Sequence, residues 1–351
     1  MTTAISTPIG SSAREMAPAT RDAGIDSVRG FLILCVVIGH TPWGYFTAQN
    51  PSLFGLSLYY FVTQVIWFFA LPLFIGVSCL YLQPLSLRYA GKRALALLLP
   101  YVIYLCVQQA PALRGNPRWW LQMLAWGNFA KLISIIWFLP ALYSCNIAAA
   151  AMVRSEKKNW FWIALAGLAL LSLATGPSVA SVHGQVPFGL DIALMMLPFA
   201  FGLRIVDRMY GRLSEIPRLP LLLFFLGGAA SLFVLEPPKL TNPWQNKIDL
   251  AQYSIPSTPF NYVLWFLIAV AVFLLIRRKP WRVLSLLGSY SMPIYLIHYE
   301  VIKLALENKW PEKIGAGYLQ ALAIVCLAVT GPVVIGLLAR KISPRVKYIG
   351  L

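Results

Sequence analysis

Asp26, Arg29 and His40 set an acid, a fixed cation and a base that titrates near neutrality within one short stretch of chain. Arg29 and His40 are eleven residues apart. On a helix that is three turns, so both side chains share a face about 16 Å apart along the axis. Asp26 precedes Arg29 by three residues and falls on nearly the same stripe, within reach of its guanidinium. The residues from Phe31 to Gly39 are all apolar. Ionisable groups on such a helix are costly in lipid, so they belong against a protein interior or a water-filled cavity, and that marks them for function. His40 has the chemistry of a general base, able to take a proton from a hydroxyl or thiol and return it. The blander alternative is a histidine that hydrogen-bonds a neighbouring helix and packs. Arg29 matches phosphate geometry with a forked contact, as a nucleotide-like donor would require; alternatively it anchors the helix end by snorkelling. Asp26 either caps the helix start or pairs with Arg29.

A second group of candidates lies further along. His298 and Glu300 fall near the end of an apolar run, where they could bind an acceptor, assist His40 or form an interfacial polar cap. Asp191 is a carboxylate at the edge of another run, with no local partner, and His183 reads as a solvated loop histidine. The Trp and Tyr clusters at 118–126 and 244–253 suit stacking on sugar rings and equally an interfacial aromatic belt. No nucleotide-binding glycine loop, HExxH pair or GxSxG elbow occurs. Cys35, Cys79, Cys106, Cys145 and Cys326 all sit in apolar runs without CxxC spacing, so neither a metal site nor a disulfide framework is expected.

The elements that must position these residues are membrane helices. The chain of 351 residues is 59% hydrophobic and 12% charged, against about 25% charged in an ordinary soluble domain. Runs long enough to cross a bilayer occur at 28–48, 57–82, 92–109, 132–153, 159–177, 187–206, 218–235, 258–277, 283–303 and 315–340. The expected fold is all-α and polytopic, with about ten transmembrane helices enclosing a central cavity. Residues 1–27 are expected to form a cytoplasmic tail without a signal peptide, 28–340 the transmembrane domain, and 341–351 a second cytoplasmic tail. With ten crossings both termini share a side, and 21 of the 29 Lys and Arg residues fall there. This is the positive-inside pattern, so the net charge of +17 reports topology and not nucleic-acid binding.

The first span resembles the signature of the acyltransferase 3 family of integral membrane O-acyltransferases: Ile25-Asp26-Ser27-Val28-Arg29-Gly30, then an apolar run ending in Gly39-His40. Pro72-Leu73-Phe74 with Ser78, Lys92-Arg93 leading to Leu99-Pro100-Tyr101, and Trp137 to Leu142 are similar to later family motifs. So are Asp191 to Gly202, and Gly288-Ser289-Tyr290-Ser291 through Tyr295 to His298. Ala70 and Ala94 to Leu98 depart from patterns common in the branch that modifies exopolysaccharides. The resemblance implies transfer of an acyl group, usually acetyl, from cytoplasmic acyl-CoA to a hydroxyl of an extracytoplasmic carbohydrate such as an exopolysaccharide, O-antigen or periplasmic glucan. His40, as base or transient acyl carrier, and Arg29 would be the catalytic pair. Asp26, Arg88, Lys92 and Arg93 would lie on the donor side, and Asp191, His298 and Glu300 on the acceptor side. No cofactor is bound permanently; acyl-CoA is a substrate. The bilayer of a bacterial inner membrane and polysaccharide-assembly proteins are the other expected partners. The alternative from another class is a polysaccharide-pathway transporter or export partner without transferase chemistry.

Overall fold

A computed structural model describes residues 22–41, 58–109, 138–180, 190–235, 259–310 and 317–343, and these are helical almost throughout. In chain order the helices are α1 (Ala23–His40), α2 (Leu58–Ser78), α3 (Leu87–Gln109), α4 (Phe138–Met152, continued by a 3-10 turn Val153–Lys157) and α5 (Asn159–Ala180). They continue as α6 (Leu190–Arg208), the single turn α7 (Tyr210–Leu213), α8 (Arg218–Leu235) and α9 (Pro259–Arg277). The last are α10 (Arg282–Ser289), α11 (Ser291–Glu307) and α12 (Gly317–Ile342). Among the described residues α1, α3 and α12 have both the length and the hydropathy to cross a membrane unaided. Large apolar side chains on the outer faces, such as Leu223 at 59% and Leu338 at 58% exposure, suit hydrocarbon rather than water. This is an integral membrane protein. The aromatic clusters at 118–126 and 244–253 and His183 lie outside the described residues.

α1 is the axis of the assembly, packing against α2, α9, α10, α11 and α12. It begins five residues before the predicted span. Asp22, not Asp26, is its N-cap, accepting from the amides of Gly24 at 2.8 Å and Ile25 at 3.1 Å. Both aspartates stand one turn apart at a plausible helix start, and the apolar Gly24-Ile25 pair is buried enough to extend the helix backwards. At the other end Thr41 precedes Pro42, which disfavours helical backbone in the residue before it. Thr41 accordingly turns extended, with its hydroxyl donating to Val37 O at 2.9 Å, and His40 becomes the last helical residue.

The closest crossing is between α1 and α10. A Cβ added to Gly30 would lie 1.8 Å from Leu284 O, and one added to Gly288 1.9 Å from Asp26 O. Ser27 continues the seam: its Oγ accepts from Trp281 N at 3.2 Å and donates to Trp281 O at 3.4 Å. Small residues three apart (Ser27, Gly30) thus let two backbones touch, as membrane helices do, while Gly24 abuts Arg277 of α9.

The predicted ninth span is not one helix. It breaks at Tyr290, where φ is −111° and ψ 17°, into α10 and α11. Pro293 has no amide hydrogen to offer the Ser289 carbonyl four residues earlier. Arg340 of α12 approaches that carbonyl at 3.4 Å through Nη2, with its guanidinium 4.3 Å from the Tyr290 ring centre.

The end of the bundle that holds Asp22 is locked by arginines. Arg277 pairs with Asp22 at 3.0 Å and with Asp207, above the Tyr210 ring. Buried Glu156 holds Arg208 at 2.6 Å and Arg204 at 3.3 Å, and Arg204 also donates to the carbonyls of Cys79 and Leu80 at the end of α2. Glu156→Ala would leave the nearly buried Arg204 facing Arg208 without an anion. Its expected cost is about 3 kcal/mol, the low end for breaking a buried pair because Arg208 is half exposed. A lower unfolding temperature of the detergent-purified variant, with transfer activity intact in the folded fraction, is the result that checks it.

Candidate active site

His40, at the end of α1, and His298, in the middle of α11, meet with His40 Nδ1 3.1 Å from His298 Nε2. His298 is fully buried, while His40 is half-buried. His298 Nδ1 lies 2.8 Å from both Ile294 O and Tyr295 O. Carbonyls only accept, so that nitrogen carries the hydrogen, and in the neutral ring Nε2 must be an acceptor. His40 Nδ1 is therefore the donor to it. The proton of neutral His40 is thus assigned to Nδ1, and Nε2 carries the lone pair. That tautomer is the one a general base needs, with a second group fixing the ring from behind. The two rings are 5.1 Å apart and tilted by 40°, and Tyr299 meets His40 edge-on at 6.3 Å.

The other end of α1 carries the ion pair of the sequence signature. Arg29 Nη1 is 3.6 Å from Asp26 Oδ1, with the arginine side chain 33% exposed and the aspartate 5%. Asp26 thus pairs with Arg29, and the capping role belongs to Asp22. Between this pair and the histidines lies a small apolar cavity of about 40 Å³, bounded by α1, α2, α4 and α11.

The acyltransferase domain of the acyltransferase 3 family matches residues 22–337, nearly the whole chain. The protein belongs to the acyltransferase 3 family. No curated protein and no solved structure shows a significant match.

In this acyltransferase the remaining predicted residues lie on α3, α6 and α11. Arg88 and Lys92 are exposed on the first turns of α3, and Arg93 donates from Nε to Tyr89 OH at 3.1 Å. Glu300 is half-buried two residues beyond His298, which is about 200° around α11 and so on a different face. Asp191 lies in the first turn of α6, and its side chain lies outside the described residues.

Sequence reasoning passed over several residues that the fold uses. Asn146 is fully buried in α4 and donates to Ser78 Oγ at 3.0 Å and Leu142 O at 2.8 Å. A lone asparagine inside an apolar run was a usable signal for such interhelical bonding. Asp22, Asp207 and Glu156 had no local signature, since each finds its arginine on a distant helix. Tyr295 hydrogen-bonds the Phe138 backbone and packs 5.9 Å from the Phe138 ring, joining α11 to α4 beside the histidine pair.

Proposed function

We propose that this protein moves an acyl group, acetyl by family resemblance, from acyl-CoA to a hydroxyl of an extracytoplasmic carbohydrate. The observation that most supports this reading is the His40–His298 hydrogen bond, which leaves His40 Nε2 as the basic nitrogen. In this reading the Asp22 end of α1 faces the cytoplasm of a bacterial inner membrane, in keeping with the distribution of Lys and Arg. The donor phosphates lie against Arg29, and the thioester reaches along α1 toward His40. His40 Nε2 removes the proton of the acceptor hydroxyl as its oxygen attacks the thioester carbonyl. The carbon–sulfur bond breaks, and the departing sulfur takes the proton from His40, giving an ester and free CoA thiol. His298 holds the ring and accepts from Nδ1–H while the imidazole is charged.

A deletion strain complemented with the wild-type gene tests this by the O-acyl content of its surface and periplasmic glycans. Ester lost on deletion and restored with the gene is the expected result. Unchanged ester with altered glycan export would overturn it and mark an export partner instead. A separate outcome concerns Arg29→Lys, which keeps the charge and loses the fork. The KM for acyl-CoA is expected to rise about tenfold, the worth of one charge-assisted hydrogen bond, with kcat within about threefold. Thiol release at varied acyl-CoA concentration reads both.

A further inference from the structure

The cavity between Arg29 and the histidines has a position and a lining that bear on the donor itself. Val36 is one helical turn before His40 on α1, and Tyr295 is three residues before His298 on α11. The cavity therefore lies about 5 Å from the histidine pair along both helices, on the side toward Arg29. Its walls are Val36, Leu71, Phe74, Phe138, Leu142 and Met292, and they are carbon almost throughout. The polar residues there are Ser291 and Tyr295, and the Tyr295 phenol is hydrogen-bonded to the Phe138 backbone. At about 40 Å³ the space admits roughly three water-sized groups.

We infer that this cavity is the acyl subsite of the transferase, shaped for an unbranched, uncharged acyl group of two to four carbons and closed to dicarboxylic acyl groups such as succinyl. This rests on the proposed use of acyl-CoA and adds what kind of acyl group is transferred. A donor extended along α1 with its phosphates near Arg29 brings the carbonyl beside His40 and leaves its alkyl end in this space. Each extra methylene beyond the available volume discriminates by about 10- to 200-fold. A terminal carboxylate would be desolvated among leucine, valine and phenylalanine, with no cation among the described residues that line the cavity, a heavier penalty than a methylene.

The test uses membranes of the host, which hold the natural acceptor, with wild-type, Met292→Ala, Leu71→Ala or His40→Gln protein. Each is supplied with acyl-CoA of two, three, four, six and eight carbons and with succinyl-CoA, and thiol release above the His40→Gln background is measured. Met292 and Leu71 are both half-buried, so truncation is compatible with folding, and either variant suffices. Wild type is expected to peak at two to four carbons, with succinyl-CoA at least about 100-fold poorer in kcat/KM. In Met292→Ala or Leu71→Ala the ratio of eight-carbon to two-carbon rate rises about tenfold or more. Equal use of succinyl-CoA or of eight carbons by wild type, or unshifted profiles in both variants, overturns the assignment. Thiol release from no acyl-CoA at all would instead bring down the proposed function, and the acyl subsite with it.

Discussion

Glutamine in place of His40 is expected to lower acyl transfer by about 10²- to 10⁴-fold at unchanged expression, the usual worth of a positioned general base. Glutamine can still hydrogen-bond His298 but cannot take a proton, so the fold should survive and the chemistry should not. The partner histidine separates the two roles. His298→Ala leaves the base present but no longer fixes its tautomer, and kcat is expected to fall about 10- to 100-fold with the KM for acyl-CoA nearly unchanged. His298→Gln offers an amide oxygen where the ring offered Nε2, so it should recover part of that loss. A merely structural His298 would show no such rescue. The double variant should be no worse than His40→Gln alone, because the two residues act as a unit. Full activity in His40→Gln, checked by thiol release and by glycan ester content, would remove the base assignment.

The second large effect is on folding. Alanine at Gly30 would put a Cβ 1.8 Å from Leu284 O, and at Gly288 1.9 Å from Asp26 O. Neither obstacle is a flexible side chain, so α1 and α10 must move apart by more than 1 Å for normal contact. That would open the Ser27–Trp281 hydrogen bonds as well. The expected loss is about 3 kcal/mol or more, at the top of the range for overpacking. Loss of transfer would follow, since Asp26 and Arg29 flank the crossing. Gly167→Ala on α5 is the control, because nothing lies within 4 Å of its added Cβ. Replacing a helical glycine there should be neutral or stabilising by up to about 1 kcal/mol. Unfolding temperatures of the purified variants decide the matter; wild-type values for Gly30→Ala and Gly288→Ala would contradict the packing argument.

The glycine of the Arg29-Gly30 signature illustrates why a motif can be read correctly and explained incompletely. Its position beside the arginine pointed to function, yet what it does is admit the backbone of a helix 254 residues away, as the Ser27–Trp281 bonds show. The Tyr290 break had a local signal, since Pro293 removes one helical hydrogen bond just after the polar stretch Gly288-Ser289-Tyr290-Ser291. The arginines at 204, 208 and 277 were visible as a charge asymmetry, which sums over residues and needs no partners. Their work as clamps on Glu156, Asp207 and Asp22 was not visible, because each pair joins different helices.

Sequence alone determined that the chain is a set of apolar helices, that Arg29 and His40 ride one helix three turns apart, and that the order of motifs is that of an acyltransferase. The first two follow from composition and from the 3.6-residue period, which are properties of each segment by itself, and the third from the resemblance of the motifs to the family. Only the tertiary structure decided that His298 is the partner of His40, across 258 residues, and that an apolar cavity lies beneath them. The tautomer of His40 was decided there too, since it depends on which atom faces its ring. Periodicity states which face of a helix must be covered; the packing of all the helices together selects what covers it.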